Sequence, residues 1–265
     1  MSKKSKFNPK ETLSIAKTAK NKLLEFYVRL RNVPGALSET SEIFSRYNVN
    51  ILIGEHFVKD SEGYWIFFAD FSNAVDKPEI IAERVKANPK VLEVKYVKSE
   101  KNIIIEEFLY PVTSWGWRLL LFNANRLKHS FKTLMEEFGS GISTMIFYQG
   151  FLYGVEITRW LKDITKSIEI TRREILELII KLYRSHGFGI AELEEYNLKN
   201  RIIKIKVEDS FETFKEKMKT STCQFSRGFW SGVISEIFKT KMKADEVKCV
   251  SKGDDFCEFY IREWR

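Results

Sequence analysis

The fold of the C-terminal half is decided by a stretch that begins Cys223-Gln-Phe-Ser-Arg-Gly-Phe-Trp-Ser-Gly232. It continues through Glu246-Val-Lys-Cys249 to Gly253-Asp-Asp-Phe-Cys257. The apolar periodicity of its first part predicts a helix from about residue 224 to 241. Two glycines four residues apart give this helix one smooth face.

A β-hairpin is predicted to follow this helix. Residues 246–251 and 256–262 read as its strands, and the turn-forming residues 252–255 join them. Cys249 and Cys257 are an even number of positions apart, so both side chains can point to one face of the hairpin.

All three cysteines of the chain fall in this stretch, together with Glu246. Three thiolates and one carboxylate can close a tetrahedron around Zn²⁺. The spacing alone leaves a second interpretation open, in which the cysteines are small buried apolar residues and Glu246 is a surface acid.

From about residue 111 to 265 the chain resembles the 4-vinyl reductase (4VR) domain family. It also resembles the sensory input domain of phenol- and xylene-responsive bacterial activators. The quoted motifs carry this resemblance, because a Cys, a Glu and two further Cys bind zinc in the aromatic sensors at the intervals 23, 3 and 8 found here. The resemblance implies a structural zinc site with the ligands Cys223, Glu246, Cys249 and Cys257.

The same resemblance implies a pocket for a small hydrophobic ligand beside the zinc site. The pocket would lie between the helix 224–241 and a predicted helix at 170–186. Its aromatic candidates are Phe225, Phe229 and Trp230, although aromatic residues at helical spacing are core residues more often than ligand contacts. Members of both related families usually form symmetric pairs, so a homodimer is expected.

Further elements of the C-terminal half follow from apolar periodicity. Helices are predicted at 118–138 and 142–159, a strand at 201–207 and a short helix at 212–218. With the hairpin, these elements predict a mixed α/β domain.

The N-terminal half predicts a different domain. Leu24, Phe26, Val28 and Leu30 alternate on one face of a strand. The elements expected in order are a strand at 23–30, a helix ending near 48, strands at 49–58 and 63–71, a helix beginning near 78 and a strand at 91–99. This βαββαβ order is ferredoxin-like, and the overall fold class is therefore α+β.

Residues 23–100 resemble the ACT domain, an amino-acid-sensing module. The resemblance rests on Asn32-Val-Pro-Gly-Ala-Leu37 and Tyr47-Asn-Val-Asn-Ile51. In amino-acid-binding members these two loops hold the ligand, usually across a dimer interface.

The resemblance implies that Asn32, Gly35 and Asn50 contact an amino acid. An amide supplies the donors and the acceptor that a zwitterion requires, and Gly35 permits close approach of the backbone. The chain departs from the serine-binding branch at Leu30, where that branch has histidine. The alternatives are that both asparagines serve turns and helix ends, or that the domain only dimerises.

Composition bounds the remaining possibilities. The 265 residues carry a net charge of +8 and are 44% hydrophobic, which is typical of a folded protein. Residues 1–22, a basic arm or helix, hold seven lysines and one glutamate. The expected domains are this arm, the ACT domain at 23–100, a linker at 101–114 and the 4-vinyl-reductase-type domain at 115–265. Without an apolar run long enough for a bilayer, a soluble cytoplasmic protein is expected.

The motifs favour a sensor over an enzyme. Gly187-Phe-Gly189 follows a predicted helix instead of opening one, so it does not fit a nucleotide fingerprint. We therefore interpret the chain as a ligand-sensing regulatory protein. One alternative is a reductase-like enzyme or accessory factor acting on a hydrophobic or tetrapyrrole-like substrate, and another is a nucleic-acid binder that uses the basic arm.

Overall fold

The computed structural model describes residues 7–18 and 22–264, and the chain forms two compact units, 1–119 and 120–265. The elements of the first unit are β1 (Ile15–Lys17), β2 (Leu23–Arg31), α1 (Ala36–Arg46), β3 (Asn50–Lys59), β4 (Glu62–Asp70), α2 (Pro78–Lys86), β5 (Val91–Lys98), β6 (Ile103–Ile105), β7 (Thr113–Ser114) and β8 (Trp117–Arg118). Those of the second unit are α3 (Ala124–Phe138), α4 (Ser140–Ile164), α5 (Arg172–Ser185), β9 (Ile190–Asn197), β10 (Ile202–Glu208), α6 (Gln224–Phe238), β11 (Met242–Lys248) and β12 (Cys257–Glu263).

The first unit is built on an antiparallel sheet in the strand order β3-β4-β2-β5. Its main core contains Phe26 of β2, Phe44 of α1 and Phe67 of β4, all fully buried. The predicted order of strands and helices between residues 23 and 99 is therefore present, while the ACT assignment stays a prediction.

A two-stranded ribbon of β1 and β6 supplies a second, smaller core to the first unit. Leu13 and Ile104 pack there against Leu23, Ile66 and Phe68 of the sheet. The predicted arm thus contains a strand among its described residues 7–18, because pairing with β6 satisfies its backbone. Residues 1–6 and 19–21, which hold four of the arm's lysines, lie outside the described residues.

Glu25 of β2 is a fully buried carboxylic acid. One carboxyl oxygen accepts a hydrogen bond from the backbone N–H of Glu107 at 3.1 Å, and the other has no partner among the described residues. Burial raises the pKa of the Glu25 carboxyl to about 7, and the nearby Glu106 and Glu107 act in the same direction.

This burial predicts a pH-dependent stability for the first unit. The carboxyl ionises near pH 4.5 in the unfolded chain but only near pH 7 in the folded one. Its favourable contribution is therefore complete below pH 4.5 and is lost as the pH rises to 7. We expect Glu25→Gln, which mimics the protonated acid, to raise the free energy of unfolding by about 2 kcal/mol at pH 8, since one pKa unit corresponds to about 1.4 kcal/mol.

Urea unfolding at several pH values measures this effect. Glu83→Gln on the exposed face of α2 is the matched control, and it should change stability little at any pH. An equal response of the two variants at pH 8 would show that the Glu25 carboxyl carries no burial penalty.

The second unit is built on an antiparallel sheet in the strand order β11-β12-β10-β9. Helix α6 is fixed to the sheet by two serine hydroxyls, since Ser231 accepts from the N–H of Ala244 and Ser235 from that of Met242, both at 2.8 Å. No helix among the described residues is both long and apolar enough to cross a bilayer.

Helices α4 and α6 pack with their backbones in direct contact through four glycines. A Cβ on Gly228 or Gly232 of α6 would overlap a backbone carbonyl oxygen of α4, and one on Gly150 or Gly154 of α4 would overlap a carbonyl oxygen of α6. The smooth face predicted for α6 thus meets a matching glycine face on α4.

Two predicted helices differ from the structure. The helix predicted at 118–138 begins at Ala124, because the Asn123 side chain accepts from the N–H of Arg126 and caps it. No helix forms at 212–218. The N–H groups of Phe214 and Met218 instead donate to the hydroxyl and the carbonyl oxygen of Ser251, so they are not available to a helical turn.

Candidate metal centre

Three cysteines and one glutamate converge where the start of α6 meets the β11–β12 hairpin. Cys223 is the residue before α6, Glu246 lies on β11, Cys249 follows β11 and Cys257 begins β12. Their potential ligand atoms all lie within 4.8 Å of one another. The structure therefore brings together all four residues that the sequence predicted as metal ligands.

The turn of the hairpin positions two of these residues. Between Cys249 and Cys257 the chain forms a short 3₁₀ turn that ends at Gly253, whose φ of 107° favours glycine. The carboxylate of Asp254 accepts a hydrogen bond from the N–H of Cys249 at 2.8 Å. This bond holds the turn closed and fixes the direction of the Cys249 side chain.

The charge balance of the cluster suits a cation. All three cysteines are fully buried, and the Sγ atoms of Cys223 and Cys257 lie 3.7 Å apart. Burial raises the pKa of Glu246 to about 8, because its charge is removed from water beside acidic thiols. Four acidic groups at one buried place can ionise together only if a cation neutralises them.

An unpartnered atom points to the same conclusion. One carboxylate oxygen of Glu246 accepts from the N–H of Cys223 at 3.2 Å. The other is buried and has no hydrogen-bond partner among the described residues. Such an oxygen normally costs about 1–3 kcal/mol, and a metal ion bound by the neighbouring thiolates would satisfy it.

Hydroxyl groups surround the sulfur atoms. Ser210 Oγ lies 3.7 Å from the sulfur of Cys223, and Thr222 Oγ1 lies 3.8 Å from that of Cys249. Thr222 is also 2.9 Å from Ser251 Oγ. Such contacts orient metal ligands and tune their basicity.

The start of α6 has a further buried acid that the sequence did not reveal. The carboxylate of Glu212, almost fully buried, accepts from the N–H groups of Phe225 and Ser226 at 2.8 Å and from the Ser226 hydroxyl. Ser226 Oγ in turn lies 2.8 Å from the hydroxyl of Tyr183. Glu212 thus caps α6 from a distant part of the chain, a contact for which no local sequence pattern exists.

The aromatic candidates lie beside this cap. Phe229 and Trp230 are fully buried, and their rings are 5.2 and 4.8 Å from that of Tyr183 on α5. Phe225 contacts Phe188 and partly exposed Phe211 at 5.5 and 5.8 Å. The three predicted residues therefore belong to one aromatic cluster between α5 and α6, and their role as ligand contacts stays a prediction.

The candidates of the first unit line two separate cavities. Asn32 and Gly35 line one of about 320 Å³, together with Arg31 and His56. Asn50 lines another of about 290 Å³. A single chain therefore does not bring all three predicted residues to one place.

With this geometry established, the chain was compared with known proteins. Residues 203–263, which span β10, α6 and the hairpin, match the 4VR domain. The C-terminal region contains a 4VR domain. This region includes all four residues of the candidate metal centre.

Individual proteins show more distant likeness. The uncharacterized protein MJ0150 of Methanocaldococcus jannaschii is 27% identical over 124 residues, which cover 47% of this chain and 66% of that protein. The chain thus spans slightly less than two thirds of that relative's length.

Two solved structures are also similar. The phenol-responsive sensory domain of the transcription activator PoxR, with phenol, is 18% identical and has a TM-score of 0.48, covering 56% of this chain and 77% of that one. A vinyl-4-reductase family protein from M. jannaschii is 23% identical with a TM-score of 0.36, covering 54% and 91%.

Proposed function

We propose that this chain is a ligand-sensing regulatory protein whose second unit, which contains the 4VR domain, binds a small hydrophobic molecule and is braced by a structural zinc ion. The observation that carries the proposal is the convergence of four buried ligand atoms within 4.8 Å inside the 4VR region.

Zinc suits the donor set of this centre. Thiolates are soft ligands that favour Zn²⁺, which binds three or four of them in closed tetrahedral sites. Cys223, Cys249, Cys257 and Glu246 would fill all four positions, so the ion would be structural. It would join the start of α6 to the closing hairpin, two parts of the chain that no disulfide links among the described residues.

The aromatic cluster gives the ligand its class. Phe225, Phe229 and Tyr183 present ring faces and edges on which a small aromatic molecule can stack. The hydroxyl pair of Tyr183 and Ser226 is the polar group nearest to these rings by contact. A ligand that binds one conformation of the unit more tightly than another would shift the population and so transmit a signal.

A thermal-shift titration tests this function. Phenol, the molecule bound to the similar PoxR domain, is the first probe, and we expect it to raise the melting temperature of the full chain with saturation. Phe229→Leu should abolish the phenol-induced rise. Phe256→Leu, on the outer side of the hairpin beside Lys206 and Lys248, is the matched control and should keep it.

Two outcomes would contradict the sensor. The first is the absence of any stabilisation by phenol and by the small molecules that native mass spectrometry finds in protein purified from cells. The second is turnover of such a molecule with a reduced nicotinamide, which would favour the enzyme.

A second ligand is proposed for the first unit. The cavity lined by Asn32 and Gly35 also contains the Arg31 guanidinium, which can pair with the carboxylate of an amino acid. Calorimetric titration with the L-amino acids should detect binding that Asn32→Ala removes and the exposed control Asn200→Ala retains. Binding that survives Asn32→Ala would contradict this site.

We also propose that the protein acts as a homodimer. An assembly of two chains could place Asn50 of one chain near Asn32 of another, which a single chain does not do. Sedimentation measurements of the full chain test this assembly.

A further inference from the structure

The first part of α4 differs from the rest of the chain in its charge. Between Ser140 and Val155 there is no charged residue, although 30% of the whole chain is charged. A helix that is uncharged along so many turns is usually buried on all sides. Only one side of α4, however, is buried by α6.

The opposite side of α4 carries a stripe of large exposed apolar residues. Met145, Tyr148 and Leu152 are 67, 49 and 61% exposed and follow one another at helical spacing. They lie on the face away from Gly150 and Gly154, which contact α6. We call these three residues the α4 stripe.

The neighbouring helix α3 is also incompletely covered. None of its residues is fully buried, and Leu134 and Phe138 are 38 and 64% exposed. Together with the α4 stripe, these side chains offer roughly 500–600 Å² of accessible surface, most of the ~800 Å² that one partner contributes to a stable interface. An apolar surface of this size marks an interaction site.

We infer that the α4 stripe binds the α4 stripe of a second copy of this chain, with the two helices antiparallel across a two-fold axis. This inference rests on the homodimer of the proposed function and assigns it a surface.

The spacing of the stripe is what favours a second copy over another partner. A two-fold axis between positions 148 and 149 exchanges residue 145 with residue 152, because both lie equally far from that midpoint. Met145 would then contact Leu152 of the partner subunit, and the same contact would occur twice. The stripe is therefore complementary to itself, as an isologous interface requires.

Charge substitutions test this pairing by sedimentation equilibrium of the full chain. The wild-type protein should be a dimer. Leu152→Arg and Met145→Glu should each weaken the dimer at least about 100-fold, because each would bury two unpaired charges in the interface. The double variant should dimerise again, since each arginine would then face a glutamate of the partner subunit.

Leu198→Arg is the matched control, because Leu198 is 54% exposed in the same unit but lies outside α3 and α4. It should leave the dimer unchanged. A dimer that persists in Leu152→Arg, or a double variant that stays monomeric, would overturn the inference and leave the homodimer itself standing. A monomeric wild-type protein would overturn both.

Zinc content and the phenol-induced thermal shift, measured on the same variants, separate this inference from the sensor function. Both should be unchanged in folded monomers, because the metal centre and the aromatic cluster lie on the other side of α4, towards α6.

Discussion

Cys249→Ser is expected to release the metal ion and to lower the melting temperature of the C-terminal unit by about 10–15 °C. Loss of a structural metal is one of the few single changes that cost more than about 4 kcal/mol, and about 4 kcal/mol corresponds to this shift for a unit of this size. The wild-type protein should contain about one zinc per chain by elemental analysis.

The physical reason is that the four ligands come from three places in the chain. Without the ion, buried acidic groups face one another at the junction of α6 and the hairpin, and one oxygen of Glu246 lacks a partner among the described residues. Glu246→Gln should therefore behave like Cys249→Ser. The matched control is Glu263→Gln near the end of β12, where Glu263 makes only a half-exposed ion pair with Arg201.

A chelator gives an independent measurement on the unaltered chain. Removal of zinc should lower the melting temperature, and added zinc should restore it. Hydrogen exchange should increase around Cys249 and Cys257 while β2 and β4 of the first unit stay protected. A metal-free wild-type protein that melts at the same temperature would show that the thiols are only packing residues.

Gly228→Ala is expected to destabilise the C-terminal unit by at least about 3 kcal/mol. The new Cβ would overlap the carbonyl oxygen of Phe147, and the overlap is with backbone, which cannot rotate away as a side chain can. Either α4 and α6 must separate, or the helices must bend, and both leave voids between them.

The matched control is Gly141→Ala in the first turn of α4. A Cβ there would have no neighbour within 4 Å, and alanine favours a helix over glycine by about 1 kcal/mol. The two substitutions are identical in chemistry, yet denaturant unfolding should show opposite signs. A Gly228→Ala variant as stable as the wild type would mean that the helices are not in direct backbone contact.

The same glycines show how far sequence patterns reach. The pair in α6 was visible as a smooth face, since two glycines four residues apart lie on one side of a helix. The partner of that face was not predictable from this pattern, because Gly150 and Gly154 lie more than 70 positions earlier in the chain. Helical periodicity describes which face is smooth but contains no information about what packs on it.

The N-terminal unit shows a similar division. Alternating apolar residues predicted its strands and their order, because a strand buried on one face must alternate. The ribbon of β1 and β6 was missed, since each strand has three residues and its pairing joins residue 15 to residue 105. Glu25 was therefore not recognised as buried, because the ribbon that covers it is a long-range contact.

The sequence by itself determined the elements whose signals are local: the strands of the first unit, the helix that begins at Gln224, and the hairpin that sets Cys249 and Cys257 near one another. Tertiary structure alone decided that Glu212 caps that helix, that residues 212–218 form no helix, and that the fourth ligand atom reaches the sulfurs. The reason is that periodicity and turn residues report on neighbours within a few positions, whereas the partners of a buried polar group are selected by the packing of the whole unit.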